Sequence, residues 1–111
     1  MAHERDRSGA GHRHERLERV VREELEELLR DEATDPALAG VAIRHVALSV
    51  DYRHARVYFT CIDRRAAEAG LARAAGFLRS RLADAVELKR VPELRFVFDA
   101  AGPNAPDGGA A

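Results

Sequence analysis

Gly70-Leu71-Ala72-Arg73-Ala74-Ala75-Gly76-Phe77-Leu78-Arg79-Ser80-Arg81-Leu82 is the stretch on which the reading of this chain turns. Apolar side chains recur at helical spacing on both sides of Ala74-Ala75-Gly76, where no side chain is larger than a methyl. Arg73 stands just before this point, and Arg79 and Arg81 stand just after it. Two helices joined where the backbone is bare, beside positive charge, make a surface that a sugar–phosphate chain can approach. The first N–H groups of the second helix can also face an anion. A single helix that tolerates Gly76 at ~1 kcal/mol relative to Ala is the plain alternative. The expectation taken forward is a broken helix pair over residues 64–86, kinked at Ala74-Ala75-Gly76.

Outward from that stretch, helical and extended periods alternate along the chain. Residues 13–32 form an amphipathic helix: Leu17, Val20, Val21, Leu25, Leu28 and Leu29 fall on one face at spacings of three and four. Asp35-Pro36 ends it, because the residue before a proline is pushed out of the helical region. Residues 40–50 read as a strand, and the odd step from Ile43 to Val46 predicts a bulge. After a turn at Asp51-Tyr52-Arg53, residues 54–62 alternate, with Ala55, Val57, Phe59 and Cys61 opposite Arg56, Tyr58 and Thr60. That pattern predicts a half-buried strand, antiparallel to its predecessor. Residues 91–99 give a last strand with Leu94, Phe96 and Phe98 inward and Pro92 near its start. The expected order is α-β-β-α-α-β, an α+β domain with three helices on one face of a three-stranded sheet. Arg44, Arg56, Tyr58 and Thr60 are expected on the open face.

Length and composition set the bounds. At 111 residues the chain is one domain. Residues 1–12 and 100–111 show no apolar period and are expected as disordered tails, leaving a core of 13–99 that buries roughly 60 % of its unfolded surface. The lone Cys61 excludes an internal disulfide framework and a cysteine zinc site. The charged start carries no apolar run, so a secretory signal is not expected, and no stretch reaches the ~20 apolar residues of a membrane span. A cytoplasmic location is expected. The net charge is −1, but it is unevenly spread. Residues 20–39 hold two arginines against seven acids, whereas residues 40–65 hold five arginines against two. The footprint of charge, more than its total, bears on nucleic-acid binding.

Catalysis finds little support. Ser49, Asp51 and His54 supply the residue types of a hydrolytic triad, but they crowd into one hairpin with no glycine elbow to present the serine. Cys61 lies on the inward strand phase and suits a small apolar role. His3, His12 and His14 lack a fourth ligand, so no metal or other cofactor is expected. A protein-only interaction module would use the acidic helix face of Glu23, Glu24, Glu26, Glu27 and Asp31, although such a face is usually solvated. Arg73, Arg79, Arg81, Lys89 and Arg90 suit phosphate contact, since guanidinium forks and ammonium point charges both bind phosphate oxygens. Arg53 and Arg56 around the hairpin are further RNA candidates.

The order of elements resembles the type II KH fold, which normally carries a Gly-x-x-Gly loop that clamps a nucleic-acid backbone. Here Ala74-Ala75-Gly76 stands in place of that loop. Several segments together resemble the ribosome-binding factor A family over residues 13–99. They are Arg16-Leu17-Glu18-Arg19-Val20-Val21-Arg22-Glu23-Glu24-Leu25, Asp35-Pro36-Ala37-Leu38, Leu48-Ser49-Val50-Asp51-Tyr52-Arg53-His54-Ala55-Arg56-Val57-Tyr58, Ala74-Ala75-Gly76-Phe77-Leu78-Arg79, and Leu88-Lys89-Arg90-Val91-Pro92-Glu93-Leu94-Arg95-Phe96-Val97-Phe98-Asp99. The resemblance implies a non-enzymatic factor for late maturation of the small ribosomal subunit. Such a factor binds free small subunits and their rRNA, supports rRNA end processing and matters most in the cold. From the residues themselves, RNA contact is expected around Arg73, Ala74, Ala75, Gly76, Arg79, Arg81, Lys89, Arg90, Arg53 and Arg56. A monomer is expected when free, and a ribosome-assembly GTPase is a candidate partner.

Overall fold

Hydrophobic period sets the elements of the computed structural model, which describes residues 2–86 and 90–100, with side chains from residue 13 onward. Helix α1 spans Ala2–Asp31. Val21, Leu25, Leu28 and Leu29 are buried along it, and Leu17 packs against the same cluster. Val20, expected on this face, is 36 % exposed. The helix starts at Ala2 and runs across residues expected to be unstructured. Once the amphipathic turns are nucleated, each further residue adds a hydrogen bond at little cost. The expected C-terminal tail beyond Ala100 lies outside the described residues.

A 3-10 turn over Pro36–Leu38 follows, with the Asp35 carboxylate accepting the Ala37 N–H at 3.0 Å and Leu38 buried beneath it. Strand β1 (Ala42–Leu48) pairs antiparallel with β2 (His54–Thr60), and the register shifts between Ile43 and His45, as the odd apolar spacing predicts. Both strands stop short of their expected limits. Val50 lies in the turn and is 92 % exposed, because the hairpin closes with the Ser49 N–H on the His54 carbonyl. Strand β3 (Glu93–Phe98) runs parallel to β2, giving the sheet order β1-β2-β3. Parallel neighbours need a long crossover, and helix α2 (Arg64–Ala85) supplies it.

The expected helix pair is one helix. Helix α2 passes through Ala74-Ala75-Gly76 unbroken, so the order is α-β-β-α-β. Among the described residues two long helices cover the sheet, where three were expected. The stripe Ala67, Leu71, Leu78 and Leu82 is buried throughout. Leu71 and Leu78 are seven residues apart, two full turns, so the apolar phase is the same on both sides of the small residues. A Cβ placed on Gly76 would meet nothing within 4 Å, which puts that position toward solvent. Gly70 is the glycine that packing requires. A Cβ there would stand 3.0 Å from Ala37 Cβ and 3.1 Å from Leu38 Cδ2, so its absence lets the 3-10 turn seat on α2.

The core joins α1, α2 and the inner strand faces, with Val57, Phe59 and Ala55 of the central strand fully buried. The opposite sheet face carries Arg56, Tyr58 and Thr60 from the outward phase of β2, as expected.

Candidate nucleic-acid interface

The arginines around Ala74-Ala75-Gly76 divide between two sides of α2. The Nε and Nη2 of Arg73 donate to Asp35 Oδ2 at 3.0 and 2.8 Å. The Ala37 N–H and then the Arg73 guanidinium hold the Asp35 carboxyl below its ordinary value of 3.8. Arg81 Nη2 lies 2.9 and 3.1 Å from the two carboxylate oxygens of Glu32. Both arginines therefore meet acids just beyond the C-terminal end of α1. Arg79, two residues before Arg81, faces the other way and reaches the carbonyls of Pro92 and Val91 at 3.3 and 3.4 Å. Ala74 and Ala75 are half-buried in the continuous helix and Gly76 is exposed, so no bare junction between two helices forms here. Lys89 lies outside the described residues.

A second group gathers at the start of β3. Arg53, His54, Arg79, Arg90, Val91 and Glu93 line one shallow cleft. Arg53 is set there by its turn. The Asp51 carboxylate accepts the Ser49 hydroxyl at 2.7 Å and the Arg53 N–H at 3.0 Å, while the Glu93 N–H donates to the Arg53 carbonyl at 2.9 Å. The Ser49 hydroxyl and then the Arg53 N–H lower the Asp51 carboxyl below its ordinary value. Ser49 Oγ also accepts the backbone N–H of His54 at 3.0 Å. The triad-like residues are thus a turn network in which His54 takes part through its backbone. Cys61 is half-buried, and desolvation, then Asp63 and Glu68, push its thiol pKa up, which leaves it a poor nucleophile.

Arg56, on the outward face of β2, stands in register beside Arg95 of β3. On the same face His45 and Tyr58 are cross-strand partners, with ring centroids 5.8 Å apart. Arg95 and His45 were not singled out from the sequence as site residues. Alternation along β3 places Arg95 outward, but only the parallel register puts it beside Arg56.

Ion pairing sorts these side chains further. Arg22, Arg30, Arg64, Arg73 and Arg81 each pair with a carboxylate. Arg44, Arg53, Arg56, Arg90 and Arg95 are exposed and make no ion pair with a described residue. Uncompensated guanidinium groups on a sheet and its adjoining turn are suited to phosphate oxygens. Among the described residues no helix is long and apolar enough to cross a membrane.

The fold and this surface define a small α+β domain with a basic sheet-and-turn surface. A sequence profile of the family described as ribosome-binding factor A matches residues 13–106. A ribosome-binding factor A of Heliobacterium modesticaldum is 43 % identical over 94 residues, covering 81 % of this chain and 78 % of the relative. The factor of Halorhodospira halophila is also 43 % identical over 94 residues, covering 80 % of this chain and 75 % of its own. The crystal structure of ribosome-binding factor A from Thermus thermophilus superposes with a TM-score of 0.73 at 30 % identity, covering 79 % of this chain and 97 % of that one. Coordinates of a Thermus thermophilus homology model, fitted into the cryo-electron-microscopy map of a 30S complex with the factor, give a TM-score of 0.68 at 30 % identity over 80 % and 98 % of the two chains. The chain belongs to the ribosome-binding factor A family.

Proposed function

We propose that this protein is a KH-like assembly factor for the small ribosomal subunit, with residues 13–99 as its binding domain. It binds free small subunits through rRNA, holds a local rRNA arrangement without catalysing a reaction, and so supports processing of the rRNA ends. It works in the cytoplasm as a monomer, chiefly in the cold, with a ribosome-assembly GTPase as its candidate partner. The observation that carries this reading is the family match over residues 13–106, together with the Thermus relative placed in a map of the 30S complex. Arg53 and Arg90 at the cleft beside β3, without ion pairs among the described residues, support it, because phosphate contact uses positive charge that internal acids leave free.

The test is a sucrose gradient of cell extract, under subunit-associating and subunit-dissociating conditions, probed for this protein. Signal with free small subunits, absent from large subunits and complete ribosomes, is the expected result. Signal only at the top of the gradient, at low salt and in cold-grown cells alike, would refute the reading. Arg53→Ala with Arg90→Ala is expected to move the signal toward the top while circular dichroism stays unchanged.

A further inference from the structure

The solvent face of the sheet differs from an ordinary solvated surface in two respects. First, Arg56 and Arg95 are directly opposed on neighbouring strands. Like charges held side by side on neighbouring strands repel one another. Glu93, the acid on the outward phase of β3, sits at the strand's start beside His54 and forms no ion pair with either arginine. Second, the adjacent row holds the tilted His45–Tyr58 ring pair, with Tyr58 half-buried. The two rows are two residues apart along β2, about 7 Å, which is within the span of one nucleotide. Arg44 projects at the bulge beyond them and is exposed. Ala47, the cross-strand neighbour of Arg56, leaves the surface low there.

We infer that this sheet face binds single-stranded RNA, with Arg56 and Arg95 on the phosphates and a base stacked on the Tyr58–His45 rings. The inference rests on the assembly-factor reading and names a surface for it that adjoins the cleft of Arg53, Arg79 and Arg90 at His54 and Glu93. Guanidinium groups tracking a backbone beside an aromatic platform are the elements of sequence-tolerant single-strand binding. A duplex would offer the rings no unstacked base. A protein partner would have to bury the opposed arginines, which lack an acid of their own, so the charge favours a polyanion.

The experiment uses the full chain and an unstructured 12-nucleotide RNA carrying one 2-aminopurine, with anisotropy and 2-aminopurine fluorescence as readouts. Binding with quenched 2-aminopurine is expected. The double variant Arg56→Ala, Arg95→Ala should weaken binding and lower the log–log salt slope by about 1.4, since each phosphate contact to a single strand contributes about 0.7. Tyr58→Leu should weaken binding about tenfold and abolish the quenching with little change in salt slope. His45→Ala, on an exposed residue, gives the same stacking readout should Tyr58→Leu fail to fold. Parent-like affinity, slope and quenching in these variants would overturn the inference. So would a parent protein that sediments with small subunits yet ignores the oligonucleotide, and that result would leave the assembly-factor reading standing. A parent protein that binds neither would overturn both.

Discussion

Gly70 and Gly76 look alike in the sequence and have opposite roles in packing. Gly76 faces open space in the middle of α2, so it costs the helix what an exposed glycine costs and contributes no contact in return. Gly76→Ala should stabilise the protein by about 0.5–1 kcal/mol, raising the denaturant midpoint without changing the slope of the transition. Gly70 faces Ala37 Cβ and Leu38 Cδ2 at 3.0 and 3.1 Å. Gly70→Val must displace the 3-10 turn and should cost about 1–3 kcal/mol. A Gly76→Ala variant that lost stability would mean that α2 bends at that residue after all. Cys61 gives a second residue-scale expectation. Desolvation, then Asp63 and Glu68, raise its pKa and lower its thiolate fraction, so iodoacetamide should label the folded protein more slowly than the unfolded chain.

The β1–β2 hairpin is held from inside its turn and from α1. The Asp51 carboxylate accepts the Ser49 hydroxyl and the Arg53 N–H, while Glu18 of α1 accepts the Leu48 N–H at 2.8 Å and His14 Nε2 donates to the Leu48 carbonyl at 3.0 Å. The carbonyl can only accept, so His14 carries its proton on Nε2 in this contact. The Asp51 pKa is lower in the folded protein than its ordinary 3.8. Its contribution to stability is therefore complete above the unfolded value and is lost as pH falls through the folded one. Asp51→Asn should be less stable than the parent near neutral pH, and the gap should close as pH drops below about 4, which urea titrations across pH would follow. Glu18→Ala should cost about 1–3 kcal/mol, because it strands a backbone donor of the edge strand. At this scale much was readable in the sequence. Alternation placed Ala55, Val57 and Phe59 inward, and the irregular step after Ile43 marked the bulge. The helix pair differs from its expectation because three small residues suggest a break, although the spacing of Leu71, Leu78 and Leu82 keeps one phase through them. The division of the arginines had no local signal. Arg73 meets Asp35 across 38 positions and Arg81 meets Glu32 across 49, pairings that only the seating of α2 against the end of α1 creates.

Over the whole molecule, a net charge of −1 contains two unlike groups of arginines. Acids just after the end of α1 take up Arg73 and Arg81, while the sheet face and the start of β3 keep Arg44, Arg53, Arg56, Arg90 and Arg95 without ion pairs among the described residues. Selection for stability alone would not place Arg56 opposite Arg95, since an acid in either position would turn a repulsion into an attraction. Arg95→Glu therefore separates folding from binding. Across the parallel β2–β3 pair it exchanges a like-charge pair of exposed residues for an opposite one, so stability should not fall and should rise by at most about 1 kcal/mol. On the RNA side it removes one phosphate contact and adds a charge that repels the backbone, so single-strand binding should weaken and its salt dependence should flatten. Arg73→Ala is the matching control in the other group. It removes an ion pair with 60 % of the arginine side chain exposed, so it should cost at most about 1 kcal/mol and leave RNA and subunit binding as they were. Denaturation and anisotropy measured on both variants decide the matter. A weaker-binding Arg95→Glu that is no less stable, beside a parent-like Arg73→Ala, assigns the repulsion on the sheet to a polyanionic ligand, whereas an Arg95→Glu that binds as tightly as the parent would leave that repulsion without a function.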